Sequence, residues 1–224
     1  MNTLTRSLLA LGLVALMAAP ASAQQRRGGF GGGFGGGGVT MLLSNEGVID
    51  ELKLDDAQKG KVRDIVEKAR DKREEAASNL EGQERFAKMR EVGPQIDAEA
   101  KKALADVLKP EQFARLKGIT YQTQGPNAFQ DEELQKALKL TDDQKSAIQG
   151  IVQDSMTEMR EAMQDLQGDR ESAMSKMREL RKGTISKIES KLTSEQKAEY
   201  AKLLGAPYEV RFQGGPGAGR NRNN

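Results

Sequence analysis

Residue types that carry acid–base or nucleophilic chemistry are scarce in this chain of 224 residues. It contains no histidine and no cysteine, so the commonest general base, the thiol nucleophile and most transition-metal ligands are absent. Adjacent carboxylates occur at Glu74-Glu75 and Glu132-Glu133, but no motif groups them with a nucleophile, and we interpret them as solvated charge. The sequence therefore predicts a protein that is not an enzyme and that needs no cofactor.

Methionine is the residue type whose spacing best suits a metal ion. Met156, Met159 and Met163 stand three and four residues apart, and Met174 and Met177 follow on a predicted return helix. Thioethers bind Cu(I), so a Met-based copper sensor or binder is one alternative for this chain. In helix cores, however, flexible thioethers also fill irregular gaps. We interpret Met159, Met163 and Met177 as core residues and predict no metal site.

Four pentapeptides predict the starts of helices. Residues 140–144 and 192–196 place Thr at the N-cap and Gln three residues later, a capping box in which the hydroxyl and the amide each satisfy a backbone N–H group. Residues 54–58 carry Asp as the capping acceptor, and residues 108–112 carry Lys, which breaks the box. The residues of this capping motif are Leu54, Asp55, Gln58, Leu108, Gln112, Leu140, Thr141, Gln144, Leu192, Thr193 and Gln196.

The chain also repeats itself. The third pentapeptide begins 86 residues after the first (140 minus 54), and the fourth begins 84 residues after the second (192 minus 108). We therefore predict a tandem duplication, with repeats at 41–124 and 125–210 that join at the helix-breaking pair Gly125-Pro126. The residues aligned at the offset of 86 are Leu52 with Leu138, Val62 with Ile148, Ile65 with Ile151, Val66 with Val152, Ala76 with Ala162, Leu80 with Leu166 and Gly82 with Gly168.

Apolar residues recur at helical spacing within each repeat. From Val62 to Leu80 they fall within an arc of about 120° at 100° per residue, which predicts a helix over about 55–82 and a return helix over about 84–107. The fold class is therefore all-α, with two tandem antiparallel helical hairpins. Since Pro94 removes one backbone hydrogen bond, we expect a kink in the return helix. Short flanking helices are predicted over about 45–53, 110–118, 131–139 and 193–204.

Arg73 interrupts the apolar arc of the first repeat at the position that Met159 occupies in the second. Burial of an unpaired guanidinium is costly, so we expect Arg73 to extend to solvent or to line an open groove. Snorkelling at a helix–helix edge is the alternative. Flexible thioethers suit surfaces that bind varied partners. Met159, Met163 and Met177, together with Arg73, are therefore candidates for binding partner proteins.

Charge and the terminal segments bound the partners and the location. A formal net charge of +2, from 35 basic and 33 acidic residues, gives no field that favours nucleic acid. Residues 1–23 resemble a secretory signal with a cleavage site near Ala23, and their apolar run is too short to span a bilayer comfortably. Residues 24–40 and 211–224 are rich in Gly, so we expect disordered segments there. The sequence predicts a soluble exported protein without a stable membrane span.

The repeated pentapeptides resemble those of the Spy/CpxP family, exported helical proteins that carry a Leu-Thr-x-x-Gln motif twice per chain. The motif is intact at 140–144 and 192–196 and altered at 54–58 and 108–112, and the resemblance covers roughly 45–122 and 132–208. It implies a periplasmic location and an elongated hairpin with short flanking helices. In that family two chains associate into a cradle, so we expect either a homodimer or, given the tandem motifs, an intrachain pseudo-dimer.

The resemblance also implies a class of function. Some members of the family are ATP-independent chaperones that shelter partly unfolded proteins, and others are regulatory or metal-responsive. We therefore expect a chaperone-like protein that binds unfolded or misfolded envelope proteins. A structural or signalling adaptor for one specific partner is the alternative, together with the Met-based copper binder.

Overall fold

A computed structural model describes residues 38–165 and 169–210, which form helices and no strand. The predicted all-α fold class is therefore confirmed. The predicted signal segment, most of the linker and the C-terminal tail lie outside the described residues. The first repeat forms α1 (Val39–Leu43), α2 (Glu46–Glu51), α3 (Asp56–Ala77), α4 (Gly82–Ala105) and α5 (Pro110–Gln124). A 3-10 helix (Gly125–Gln130) leads to α6 (Glu132–Ala137), α7 (Asp142–Asp165), α8 (Arg170–Glu189) and α9 (Ser194–Leu204).

The duplication extends to the backbone. Both ends of α6 lie 86 residues after the corresponding ends of α2. The residues that follow these helices, Lys53 and Lys139, both adopt left-handed conformations, with φ of 50° and 52°. Non-glycine residues rarely occupy that region, so its recurrence at equivalent positions indicates that the two repeats share one local fold.

Two antiparallel helix pairs form the long hairpins. Helices α3 and α4 pack together and are joined by residues 78–81, and α7 packs against α8. Early residues of one helix contact late residues of the other: Gln58 bonds to the Val107 carbonyl, whereas Arg85 bonds to the Ala77 carbonyl. Helix α4 continues through Pro94 as one helix, and the kink stays a prediction.

Capping satisfies the first N–H groups of the long helices as predicted. The Gln58 N–H donates to Asp55 Oδ1 at 2.8 Å, and the Gln144 N–H donates to Thr141 Oγ1 at 3.2 Å. Thr193 accepts from the Gln196 N–H in the same way, at 3.2 Å. An ammonium has no acceptor, so Lys109 makes only half a box: its N–H donates to Gln112 Oε1 at 2.9 Å. The four leucines of the motif, Leu54, Leu108, Leu140 and Leu192, are all buried.

The motif glutamines also pair with each other across the base of each hairpin, which the sequence analysis did not predict. Gln58 Nε2 donates to Gln112 Oε1 at 2.8 Å, and Gln112 Nε2 donates back to Gln58 Oε1 at 3.1 Å. Gln144 and Gln196 form the same reciprocal bonds at 2.8 and 2.9 Å. We call each pair a glutamine clasp.

Each clasp also binds the ends of neighbouring helices. Gln112 Nε2 donates to the Leu52 carbonyl after α2, and Gln58 Nε2 donates to the Val107 carbonyl after α4. In the second repeat the corresponding acceptors are the carbonyls of Leu138 and Lys191. Carbonyls at helix ends lack hydrogen-bond partners within the helix. The two side-chain amides of each clasp donate to these carbonyls and so hold four chain segments together.

Two hydrophobic cores lie at the bases of the hairpins. The first core includes Val62 and Leu104, and the second includes Ile148 and Ile188. Val39 and Thr40 are buried residues of α1, so the prediction that the linker extends to residue 40 was wrong. Helix α1 packs against α3 and α4, and this helix was not predicted. Helix α5 extends six residues beyond its predicted end at 118.

The two repeats contact each other through α5 and α9. A Cβ atom at Gly118 would lie 2.6 Å from the Leu204 carbonyl oxygen, so only glycine permits this close approach. Gln122 Nε2 donates to the same carbonyl at 2.7 Å, and Lys101 Nζ lies 3.2 Å from Asp131 Oδ2. Within residues 38–165 and 169–210, no helix is both long enough and apolar enough to cross a membrane.

Replacing Gln112 with Ala tests the glutamine clasp. We expect the free energy of unfolding to fall by about 2–4 kcal/mol, because buried donors and acceptors lose their partners. The matched control is Gln153→Ala at an exposed position of α7, for which we expect a change within about 0.5 kcal/mol. Urea denaturation measures both variants, and equal losses would show that the clasp adds nothing.

Candidate functional site

The outer part of each hairpin lies beyond its core. The first core reaches Ala69 on α3 and Val92 on α4, and the second reaches Val152 on α7 and Ile185 on α8. We call residues 70–91 the first hairpin end and residues 153–184, apart from 166–168, the second hairpin end. In these ends the fully covered side chains are small: Ala77, Ser155, Ala173 and Thr184.

A groove of about 830 Å³ lies at the first hairpin end. It follows the turn between α3 and α4 and combines apolar with charged groups. Ala77, Leu80 and Met89 supply the apolar lining, and Arg70, Arg73, Glu74, Glu81 and Arg85 supply the charged lining. Ligand sites usually combine apolar walls with a few placed polar groups, and this groove has both kinds of lining.

Arg73 lines this groove and is paired. Its Nη2 lies 2.6 Å from Asp97 Oδ1 on α4, and both side chains are half-buried. Thr40 Oγ1 donates to the same Asp97 oxygen at 3.4 Å, which ties α1 to the pair. Of the two positions expected for Arg73, the one on a groove is confirmed. The Asp97 carboxylate offsets the cost of partly burying its guanidinium.

Burial sets the electrostatics of Asp97. Desolvation raises the pKa of its carboxyl above the usual value of 3.8, although Arg73, Thr40 and Lys101 all act to lower it. The N-terminal end of α1 contributes to this burial, since a Cβ atom at Gly38 would lie 2.0 Å from Asp97 Oδ2. The pair is therefore a partly desolvated contact at the edge of the groove.

One face of α4 is covered at the base of the hairpin and open at its end. Phe86 lies 18 residues before Leu104, which is five turns of α-helix, so both side chains share a face. Leu104 is 0% exposed and Phe86 is 61% exposed. The Arg90 guanidinium lies over the ring, 6.0 Å from its centroid. Phe86 was not predicted as a site residue, although its phase on the apolar arc was available as a signal.

The methionines do not form core. Met156 and Met174 are 44% and 43% exposed. Met159, Met163 and Met177 are half-buried, and neither hydrophobic core includes them, so their interpretation as core residues was wrong. The interpretation failed because helical phase shows on which face of a helix a residue lies, but it does not show whether another element packs against that face.

The structure separates the predicted site residues into two groups. The residues of the capping motif lie at the hairpin bases, where they hold helix ends together. Arg73 and the five methionines lie at the two hairpin ends, with Arg73 on the first and the methionines on the second. Among the described residues, no group of three or more Asp or Glu side chains could hold a metal ion, and the groups Glu74-Glu75 and Glu132-Glu133 belong to no such cluster.

Comparison with known proteins gives no relative. The chain matches no protein-family model, no curated protein and no solved structure. The resemblance to the Spy/CpxP type therefore stays a prediction that rests on the pentapeptides.

The pKa of Asp97 gives a pH-dependent prediction. Because the pKa of this carboxyl is raised in the folded state, the folded protein holds the proton more tightly than the unfolded chain. Ionised Asp97 therefore lowers the free energy of unfolding, and protonation removes this loss as the pH falls towards 3.8. Asp97→Asn removes that contribution. We expect the stability advantage of the wild type over the variant to grow from neutral pH to pH 3.8, as measured by urea denaturation. An advantage that shrinks on acidification would contradict the assignment.

Proposed function

We propose that this protein is an exported, ATP-independent chaperone that binds unfolded or misfolded proteins of the cell envelope. Binding takes place at the first hairpin end, through apolar groups that the first core does not cover. The proposed export and location rest on the signal-like pattern of residues 1–23, and the chaperone class rests on the resemblance of the pentapeptides to the Spy/CpxP type.

The observation that carries the proposal is the contrast between Phe86 and Leu104 on one face of α4. A phenyl ring that is 61% exposed, one turn before the half-buried Met89 of the groove, offers apolar area to a partner. Exposed apolar surface of this kind marks interaction sites. An unfolded segment gains by burying its own apolar side chains there, since each one buried contributes about 1.5–3 kcal/mol.

Charge around the groove favours weak and reversible binding. Arg70 and Arg85 line the groove together with Glu74 and Glu81, so the rim carries both signs. Side chains of both charges can bind polar parts of a client without selecting one sequence. The affinity then depends mainly on a small apolar contact. Release then needs no nucleotide, which agrees with the lack of a nucleotide-binding motif in the sequence.

Replacing Phe86 with Ser tests this proposal. The ring is largely exposed, so the substitution should leave helix content unchanged while the amount of protein needed to suppress aggregation of a model client rises several-fold. Light scattering without nucleotide and with a chelator measures suppression, and circular dichroism checks folding. The matched control is Gln95→Ser, nine residues further along the same helix and on its opposite side at 100° per residue.

Two results would contradict the proposal. Equal suppression by Phe86→Ser and the wild type would show that clients bind elsewhere. Failure of the wild type to suppress aggregation of several unrelated clients would exclude a general chaperone and favour an adaptor for one partner.

A further inference from the structure

Five of the nine methionines belong to the second hairpin, where the structure gives them no place in a core. The offset of 86 that aligns the repeats places Arg70, Arg73 and Ala77 at the positions of Met156, Met159 and Met163. The thioethers are therefore a property of the second repeat alone, not of the shared fold. Core packing, which would explain them, does not extend to this part of α7 and α8.

A hydrogen bond sets the register of the two helices beside these methionines. Ser155 Oγ lies 2.7 Å from Thr184 Oγ1 in the buried seam between α7 and α8. At 1.5 Å per residue, Met159 and Met163 lie about 6 and 12 Å along α7 from Ser155. Met177 lies about 10 Å along α8 from Thr184 in the same direction. Its level therefore falls between those of Met159 and Met163.

Burial separates three of these methionines from the other two. Met159, Met163 and Met177 are half-buried, whereas Met156 and Met174 are exposed. Residues four apart on a helix are neighbours on one face, which places Met159 beside Met163, and packed helices lie 8–10 Å apart. Side chains as long as methionine reach the middle of such a gap from both sides, so three sulfur atoms can converge there.

We propose that Met159, Met163 and Met177 form a thioether site for one soft monovalent ion, Cu(I). Thioethers select Cu(I) over harder ions, and the chain has no thiol or imidazole that would compete for it. Met156 and Met174, 44% and 43% exposed, present further thioethers to an ion that arrives from solvent. This site does not depend on client binding, and the two activities occupy different hairpin ends.

Titration with Ag(I), a soft ion that needs no reductant, tests the site by calorimetry. We expect one ion per chain, and the triple variant Met159→Leu, Met163→Leu, Met177→Leu should lower the affinity at least about 100-fold. Leucine nearly conserves the volume of methionine, so the variant should keep its helix content. The matched control is Met89→Leu on the first hairpin end, which should bind Ag(I) as the wild type does.

Two further readouts separate this site from others. Thioethers do not titrate, so the affinity should stay constant from acidic to neutral pH, unlike that of sites whose ligands must lose a proton. In the wild type, Ag(I) should shift the ε-methyl NMR signals of Met159, Met163 and Met177, and this readout needs no variant. Absence of binding, equal binding by the triple variant, or shifts confined to other methionines would overturn the proposal.

Discussion

The reciprocal amide bonds of the glutamine clasps fix the base of each hairpin, and the rest of the structure depends on them. Gln58 and Gln112 are buried, and each amide caps its own helix, bonds to its partner and accepts or donates at a helix end. A buried amide without partners costs about 1–3 kcal/mol, so the four segments around the clasp must keep their register. The apolar cores form where this register brings α1, α3, α4 and α5 together.

The same arrangement leaves the outer part of each hairpin as two helices without further cover. The repeats then diverge at equivalent positions. In the first, Arg73 pairs with Asp97 at the edge of a groove, whereas in the second Met159 stands at that position beside a small polar contact between Ser155 and Thr184. The two repeats thus supply two copies of one scaffold, and the proposed client and ion sites use the ends that neither core covers.

Much of the fold could be predicted from local chemistry. Capping residues and helical period located the long helices, because those signals act within one or two turns. The partner of Arg73, the pairing of Gln58 with Gln112 and the exposure of Phe86 could not be predicted, since each depends on residues distant in the chain. Helical phase placed Phe86 and Leu104 on one face, but it does not decide that Leu104 is covered, because the cover comes from the elements that contact α4, which are α1, α3 and α5.

Amide hydrogen exchange along the four long helices tests most directly the claim that the clasps hold the bases while the ends stay open for binding. We predict the slowest exchange in the turns beside Gln58 and Gln144, faster exchange at the hairpin ends, and slowing at residues 70–91 when an unfolded client is added. Uniform protection along α3 and α4, or client protection confined to α5 and α9, would contradict it.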